Sequence, residues 1–302
     1  MLDFDNADRF SLACSAYERA VELTRNHLSQ AELADRLNDY YCFLHDNNQF
    51  AKCEAYIEEC VSIWVELCHD HPEIYEPDLA RSYNNLANLF GATQRFHESE
   101  AMYKSALAIY ERLAKENPQS NEPDLADSYN NLAVLYYNIQ HYDESEAMYK
   151  SAFAIRERLA KTNPQAYDPD LAQSYNNLAI LYSDTQRFQK SEEMYKLALA
   201  IRERLAKANP QAYEPDLARS YNNLAILYND TQRLQEGEEM YKLALAIRER
   251  LAKANPQAYE PALAISYNNL AILYSDTQRF QESEAMYKSA LAIYERLSLI
   301  HI

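Results

Sequence analysis

Nine residues, Ser174-Tyr-Asn-Asn-Leu-Ala-Ile-Leu-Tyr182, return almost unchanged as Ser220 to Tyr228 and Ser266 to Tyr274, with more divergent copies at Ser82 to Phe90 and Ser128 to Tyr136. All ten prolines keep the same frame: Pro72 and Pro77, Pro118 and Pro123, Pro164 and Pro169, Pro210 and Pro215, Pro256 and Pro261. The period is 46 residues, as from Pro77 to Pro123. A period of this size describes a stack of like supersecondary units, each too small to bury its own apolar face, and not an ordinary globular domain.

Proline interrupts helix interiors, so the paired prolines read as linkers and the stretches between them as helical. In the linkers, Asn117, Asn163, Asn209 and Asn255 suit a left-handed helix C-terminus, and Asp78, Asp124, Asp170 and Asp216 suit a helix N-terminus. Between prolines the apolar period is helical but shifts phase once, giving two helices, A and B, per repeat. Helix A carries Leu79, Tyr83, Leu86, Ala87 and Phe90 on one stripe; helix B carries Phe96, Ser99, Tyr103, Ala106, Leu107, Tyr110, Leu113 and Ala114. A polar turn such as Ser183-Asp-Thr-Gln-Arg187 joins them. The fold class expected is all-α, a solenoid of antiparallel helix pairs. A lone helix at about 7–28 precedes repeats at about 31–76, 77–122, 123–168, 169–214, 215–260 and 261–302, thirteen helices in one array over 1–302.

Composition removes several functions. With two glycines, Gly91 and Gly237, no glycine-rich phosphate loop can be written. A net charge of −17 repels nucleic acid. No stretch is long and apolar enough to span a membrane, and Met1-Leu-Asp-Phe-Asp-Asn-Ala-Asp8 has no signal-peptide character, so a cytoplasmic location is expected. Five cysteines without a CxxC pair suit reduced thiols, with Cys14 and Cys60 at small core positions. Cys68-His69-Asp70-His71 reads as a solvated helix end and not as a metal site. Carboxylates recur beside Arg or Lys on helix faces, as in Arg202-Glu203-Arg204, where ion pairs account for them. No catalytic constellation and no cofactor are expected.

In this frame the repeat resembles the tetratricopeptide repeat. Tyr175 stands for the motif's Trp, Leu178-Ala179 for Leu-Gly, Tyr182 for Tyr, Ser191 for the first Ala, Tyr195 for Phe and Ala198 for the second Ala. The phrases Asn-Asn-Leu-Ala-x-Leu-Tyr and Ala-Leu-Ala-Ile-Arg-Glu-Arg resemble the long repeats of kinesin light chains and their bacterial relatives. The repeat exceeds the 34-residue motif by 12 residues, an excess assigned to an extended helix B and its linker, and its turn lacks the usual glycine. The resemblance implies a right-handed superhelix with helix A lining a concave groove, and a scaffold that binds an extended peptide or partner segment there. The alternative is a regulatory arm of a larger enzyme or effector.

Helix A presents Gln173, Asn176, Asn177, Ile180 and Asp184 opposite its apolar stripe. The first asparagine of each pair, Asn84, Asn130, Asn176, Asn222 and Asn268, forms a candidate ladder for peptide backbone, since an amide donates and accepts at once. Bracing between neighbouring helices is the competing account. Ile180 and Ile226 are candidate apolar contacts, Asp184 and Asp230 a candidate acidic rim, and Tyr137 a tyrosine left over for the groove. The partner expected is a protein or peptide with basic and apolar residues. The ending Ser298-Leu-Ile-His-Ile302 departs from the other repeats, so the last repeat is expected to be truncated, or to self-associate through that end.

Overall fold

The computed structural model describes residues 2–27 and 29–300; Met1, Leu28, His301 and Ile302, and with them the last letters of the apolar ending, lie outside it. The described residues form thirteen α-helices and no strand: α1 (Leu2–His27), α2 (Gln30–Asp46), α3 (Phe50–Asp70), α4 (Pro72–Ala92), α5 (Phe96–Glu116), α6 (Pro118–Asn138), α7 (Tyr142–Thr162), α8 (Pro164–Asp184), α9 (Phe188–Ala208), α10 (Pro210–Asp230), α11 (Leu234–Ala254), α12 (Pro256–Asp276) and α13 (Phe280–Ile300). Even-numbered helices are A helices and the odd-numbered ones that follow are B helices. The chain divides into two compact units, Met1–Ile155 and Arg156–Ile302, here the N-terminal and C-terminal halves. Within each, consecutive helices pack on one another, α2 through α6 in the first and α8 through α13 in the second.

Four local expectations are corrected. The paired prolines are not linkers: the first, as in Pro164, opens helix A, and the second, Pro169, lies inside it. Proline's fixed φ suits the first helical position, whose N–H has no helical partner in any case. The second costs one backbone hydrogen bond within a helix that neighbours pack on both sides. Helices A and B are therefore equal, 21 residues each in α8 and α9, and the long repeat is not an extension of helix B alone. The linker shrinks to one asparagine, and that residue is extended, not left-handed: Asn163 has φ −143° and accepts the Ala166 N–H at 3.3 Å, capping the following helix. Asp78, Asp124, Asp170 and Asp216 consequently fall beyond the first turn.

Left-handed backbone occurs instead in the A–B turn, at Gln94, Gln140, Gln186, Gln232 and Gln278, with φ between 58° and 62°. The arginine that follows clasps the turn. Arg233 N–H donates to the Tyr228 carbonyl at 2.7 Å, and its guanidinium lies 4.2 Å from the Tyr228 ring centroid. It also bonds Glu192 of the preceding helix B at 2.6 Å and Glu236 on its own. Arg279 repeats the clasp on Tyr274, Glu238 and Glu282.

The core follows the repeated letters. Tyr195 of helix B sits among Ala179 of its own helix A and Leu224, Leu227 and Tyr228 of the next, and Tyr241 repeats this with Ala225, Leu270, Leu273 and Tyr274. Each such side chain contributes about 2 kcal/mol by leaving water. The position of the motif's first alanine holds Ser99, Ser145, Ser191 and Ser283, whose hydroxyls donate to the helix A carbonyls of Ala87, Ala133, Ala179 and Ala271 at 2.8 Å. Cys14 and Cys60 are buried as expected. Burial pushes the Cys60 thiol up to about 11, so it stays a packed thiol.

Candidate functional site

Each helix A turns one stripe into the stack, which leaves its opposite stripe to line a common face within a half. The paired asparagines lie at the edge of that face. In the C-terminal half, Asn223 Nδ2 donates to Asn176 Oδ1 at 3.1 Å and Asn269 Nδ2 to Asn222 Oδ1 at 2.8 Å. Asn176 and Asn222 are only 3% and 7% exposed. Their carbonyls are thus spent on the next A helix, the bracing arrangement. In the N-terminal half Asn85 braces Asn38 at 2.8 Å, while Asn84 donates to Ser128 Oγ at 2.8 Å and keeps a buried Oδ1 without a hydrogen-bond partner. Asn130 is half-buried on α6. Asn268 donates to the Tyr294 hydroxyl at 3.3 Å.

Two polar clefts open on the A helices of the N-terminal half. One, of about 280 Å3, is lined by Arg81, Asn84, Asn85 and Asn88 from α4, Asp124, Asp127 and Asn131 from α6, and Pro77 and Tyr110. Burial raises the Asp124 carboxyl above its ordinary range, neighbouring Asp127 adds to this, and Arg81 opposes it. The other, of about 460 Å3, is lined by Glu32, Asp35, Arg36, Asn38 and Asp39 of α2 with Arg81 of α4. Asp35 is likewise raised, first by burial and then by Asp78. Both clefts hold more carboxylate than cation, with Arg81 common to the two. Tyr137, at the end of α6, is half-buried with its ring 6.0 Å from that of Tyr142.

The C-terminal half differs. Gln173 Nε2 donates to Asn177 Oδ1 at 2.6 Å, and its Oε1 accepts from both Arg202 and Arg219 at 3.1 Å. Arg156, Arg202 and Arg248 reach from helices B to Ser174, Ser220 and Ser266 on the following helices A, at 2.9, 2.5 and 2.6 Å. Arg202 is a correction to the sequence expectation: it is buried, not solvated beside Glu203. Burial and the nearby Arg219 lower its pKa to about 10. The signal was its row, which reads Trp64, Tyr110, Arg156, Arg202, Arg248 and Tyr294, an interior position by its aromatic members. Ile180 is half-buried, whereas Ile226, Ile265 and Ile272 are exposed. Asp184 and Asp230 are exposed; burial of its carboxyl and then Asp184 raise Asp230, which places the two acids within electrostatic reach.

Among the described residues no three His, Cys, Asp or Glu side chains converge as a metal site, and His71 of the Cys68–His71 stretch faces Glu73 at 3.5 Å. What the faces offer is a set of amide and carboxylate acceptors on one half and exposed isoleucines on the other.

The model of the family described as "Tetratricopeptide repeat" matches residues 78–158, 124–204 and 216–296. The chain belongs to the tetratricopeptide repeat family. Such proteins are generally non-catalytic scaffolds. Among solved structures, BtubC (BKLC) from P. vanneervenii is similar at 26% identity and a TM-score of 0.68, over 82% of this chain and 92% of that one. The nearly identical TPR-like repeats of Podosopora anserina, named for kinesin light chain, align at 21% identity and a TM-score of 0.56, over 73% and 97%. Cut9 and Hcn1, a hetero-tetramer of the APC/C, align at 15% identity and a TM-score of 0.56, over 94% of this chain and 43% of that one, and show the fold alone. No curated protein matches the chain. No described helix of this tetratricopeptide repeat protein is long and apolar enough to cross a membrane.

Proposed function

We propose that the chain is a protein-interaction scaffold whose helix A faces hold an extended partner segment carrying Lys or Arg and apolar anchors. The observation that carries this is the cleft between α4 and α6, lined by Asp124, Asp127 and Arg81, in which burial and then Asp127 raise the Asp124 carboxyl while Arg81, ion-paired with Asp78, opposes this. A basic side chain entering there relieves the mutual repulsion of the two acids and leaves the amide of Asn131, on the cleft wall, to the segment's backbone. The C-terminal half, taken by itself, offers groups of the same complementary kind: exposed Ile226, Ile265 and Ile272 for apolar anchors, and Asp184 and Asp230 as an acidic rim. A protein partner agrees with the family and with the hetero-tetrameric assembly of Cut9–Hcn1. The net charge of −17 favours a basic ligand and opposes nucleic acid. Five free cysteines agree with a cytoplasmic compartment.

Because Asn176 and Asn222 brace the stack, the informative residues are the acids. A peptide-display selection on the full chain is expected to enrich segments with Lys or Arg spaced from Ile, Leu or Val. Enrichment of acidic segments would overturn the reading.

A further inference from the structure

In the C-terminal half, guanidinium groups gather where acids are scarce. Arg202 of α9 is 3% exposed, and its Nη1 donates to Ser220 Oγ at 2.5 Å. Its Nη2 and the Nη2 of Arg219 on α10 both donate to Gln173 Oε1 of α8, each at 3.1 Å. Arg248 of α11, half-buried, donates to Ser266 Oγ at 2.6 Å and to the Ala262 carbonyl at 3.1 Å. Burial and then the charge of Arg219 lower the pKa of Arg202 and of Arg248, so Arg219 lies within electrostatic reach of both.

The acids that would balance these charges are absent or engaged. One row of helix A reads Asp78, Asp124, Asp170 and Asp216, and Asp216 is the carboxylate that acts on Arg202; the next member of the row, bonded by Arg248, is Ala262. A second row holds Asp127 on α6 but Gln173, Arg219 and Ile265 after it. Asp216 is paired with Arg219 at 2.8 Å, and Glu203 and Glu249, beside the buried arginines in sequence, accept from the Tyr221 and Tyr267 hydroxyls. Neither Arg202 nor Arg248 has an ion-pair partner among the described residues. Two positive charges of the three therefore stand uncompensated, and a buried cation without a counter-ion costs stability. The same row carries Tyr110 in the N-terminal half, an uncharged core residue 4% exposed. Packing alone does not call for arginine at this position.

We propose that this cluster binds the phosphoryl group of a phosphorylated side chain on a partner segment, whose oxygens take the place of Gln173 Oε1 between Arg202 and Arg219. Arg248 adds its charge to the same region. The guanidinium fork matches oxyanion geometry, and a charge of about −2 on the phosphoryl group balances the two uncompensated cations, where a carboxylate would balance one. The Gln173 amide is a neutral stand-in that satisfies the geometry without the charge. The net charge of −17 repels polyanions, so the ligand is a single phosphoryl group on a protein and not nucleic acid. The site lies wholly in the C-terminal half and goes beyond the basic-segment reading, which rests on Asp124 and Asp127.

A peptide library with one fixed phosphoserine is panned on the full chain, and the strongest binder is resynthesised with phosphoserine, glutamate or serine at that position for fluorescence anisotropy. The phosphoserine form is expected to bind at least tenfold tighter than the glutamate form, and the serine form weaker still. Two variants are each expected to erase that preference while leaving the melting temperature unchanged or higher: Arg202→Tyr, and Gln173→Glu, which sets a carboxylate of the chain's own between the arginines. A library that yields no phosphoserine-dependent binder overturns the proposal, as does equal affinity of the phosphoserine and glutamate forms. A preference that survives both substitutions places the ligand elsewhere and overturns it too. Inorganic phosphate that competes at the peptide's own concentration assigns the cluster to a free anion, with the same consequence. The Asp124→Asn, Asp127→Asn protein keeps the preference, so failure of the acidic-cleft reading and failure of this one are told apart.

Discussion

At Gln186 the backbone takes φ 58°, a conformation glycine adopts without the Cβ penalty of other residues. The sequence shows that the turn lacks glycine, but a positive φ at glutamine has no local signature; it follows from closing helices A and B over Tyr182. Gln186→Gly is expected to stabilise the protein by about 1 kcal/mol, read by denaturant unfolding. Glu192 shows a second residue-level effect. Hydrogen bonds from Arg233, then from Lys196, hold its carboxyl at about 2 against an ordinary 4.5, with burial opposing. Its stabilisation is complete above about pH 4.5 and is lost as the pH falls through about 2. Glu192→Gln is expected to cost on the order of 1 kcal/mol at pH 7 and to flatten the acid limb of stability between those values. An unchanged acid limb contradicts the assignment. Arg202 marks the limit of residue-level reading: its neighbours in sequence, Glu203 and Arg204, suggest an exposed ion pair, and only its alignment with Tyr110 places it inside.

The helices themselves were legible because apolar spacing survives every copy, and the count of thirteen holds for the described residues. Their boundaries were not legible. Paired prolines suggest a break, yet the second one lies within helix A, where burial of Leu171, Ala172 and Ser174 on the neighbouring helices outweighs one lost hydrogen bond. A single extended asparagine then ends helix B and caps helix A. Asn163→Ala is expected to cost about 1 kcal/mol, and Asn163→Asp to retain most of the cap, as thermal unfolding would show. The asparagine pairs were legible as special, but their division of labour depends on the spacing between successive A helices. That spacing brings Asn223 to Asn176 and Asn269 to Asn222. Asn223→Ala, by leaving the buried Asn176 amide without its donor, is expected to cost about 1–2 kcal/mol.

For the molecule, family membership fixes a scaffold of helix pairs, and the two halves present different chemistry: acidic clefts from α2, α4 and α6, exposed isoleucines from α10 and α12. The net charge of −17 makes association with a basic segment weaken as salt rises. The central claim is that Asp124 and Asp127 hold a basic side chain of that segment. Its most direct test is the affinity of one selected Lys- or Arg-bearing peptide for the full chain and for the Asp124→Asn, Asp127→Asn double variant, measured by calorimetry at two salt concentrations. The account predicts at least a tenfold loss in the double variant and a smaller salt dependence of what remains; equal affinity for the two proteins would contradict it.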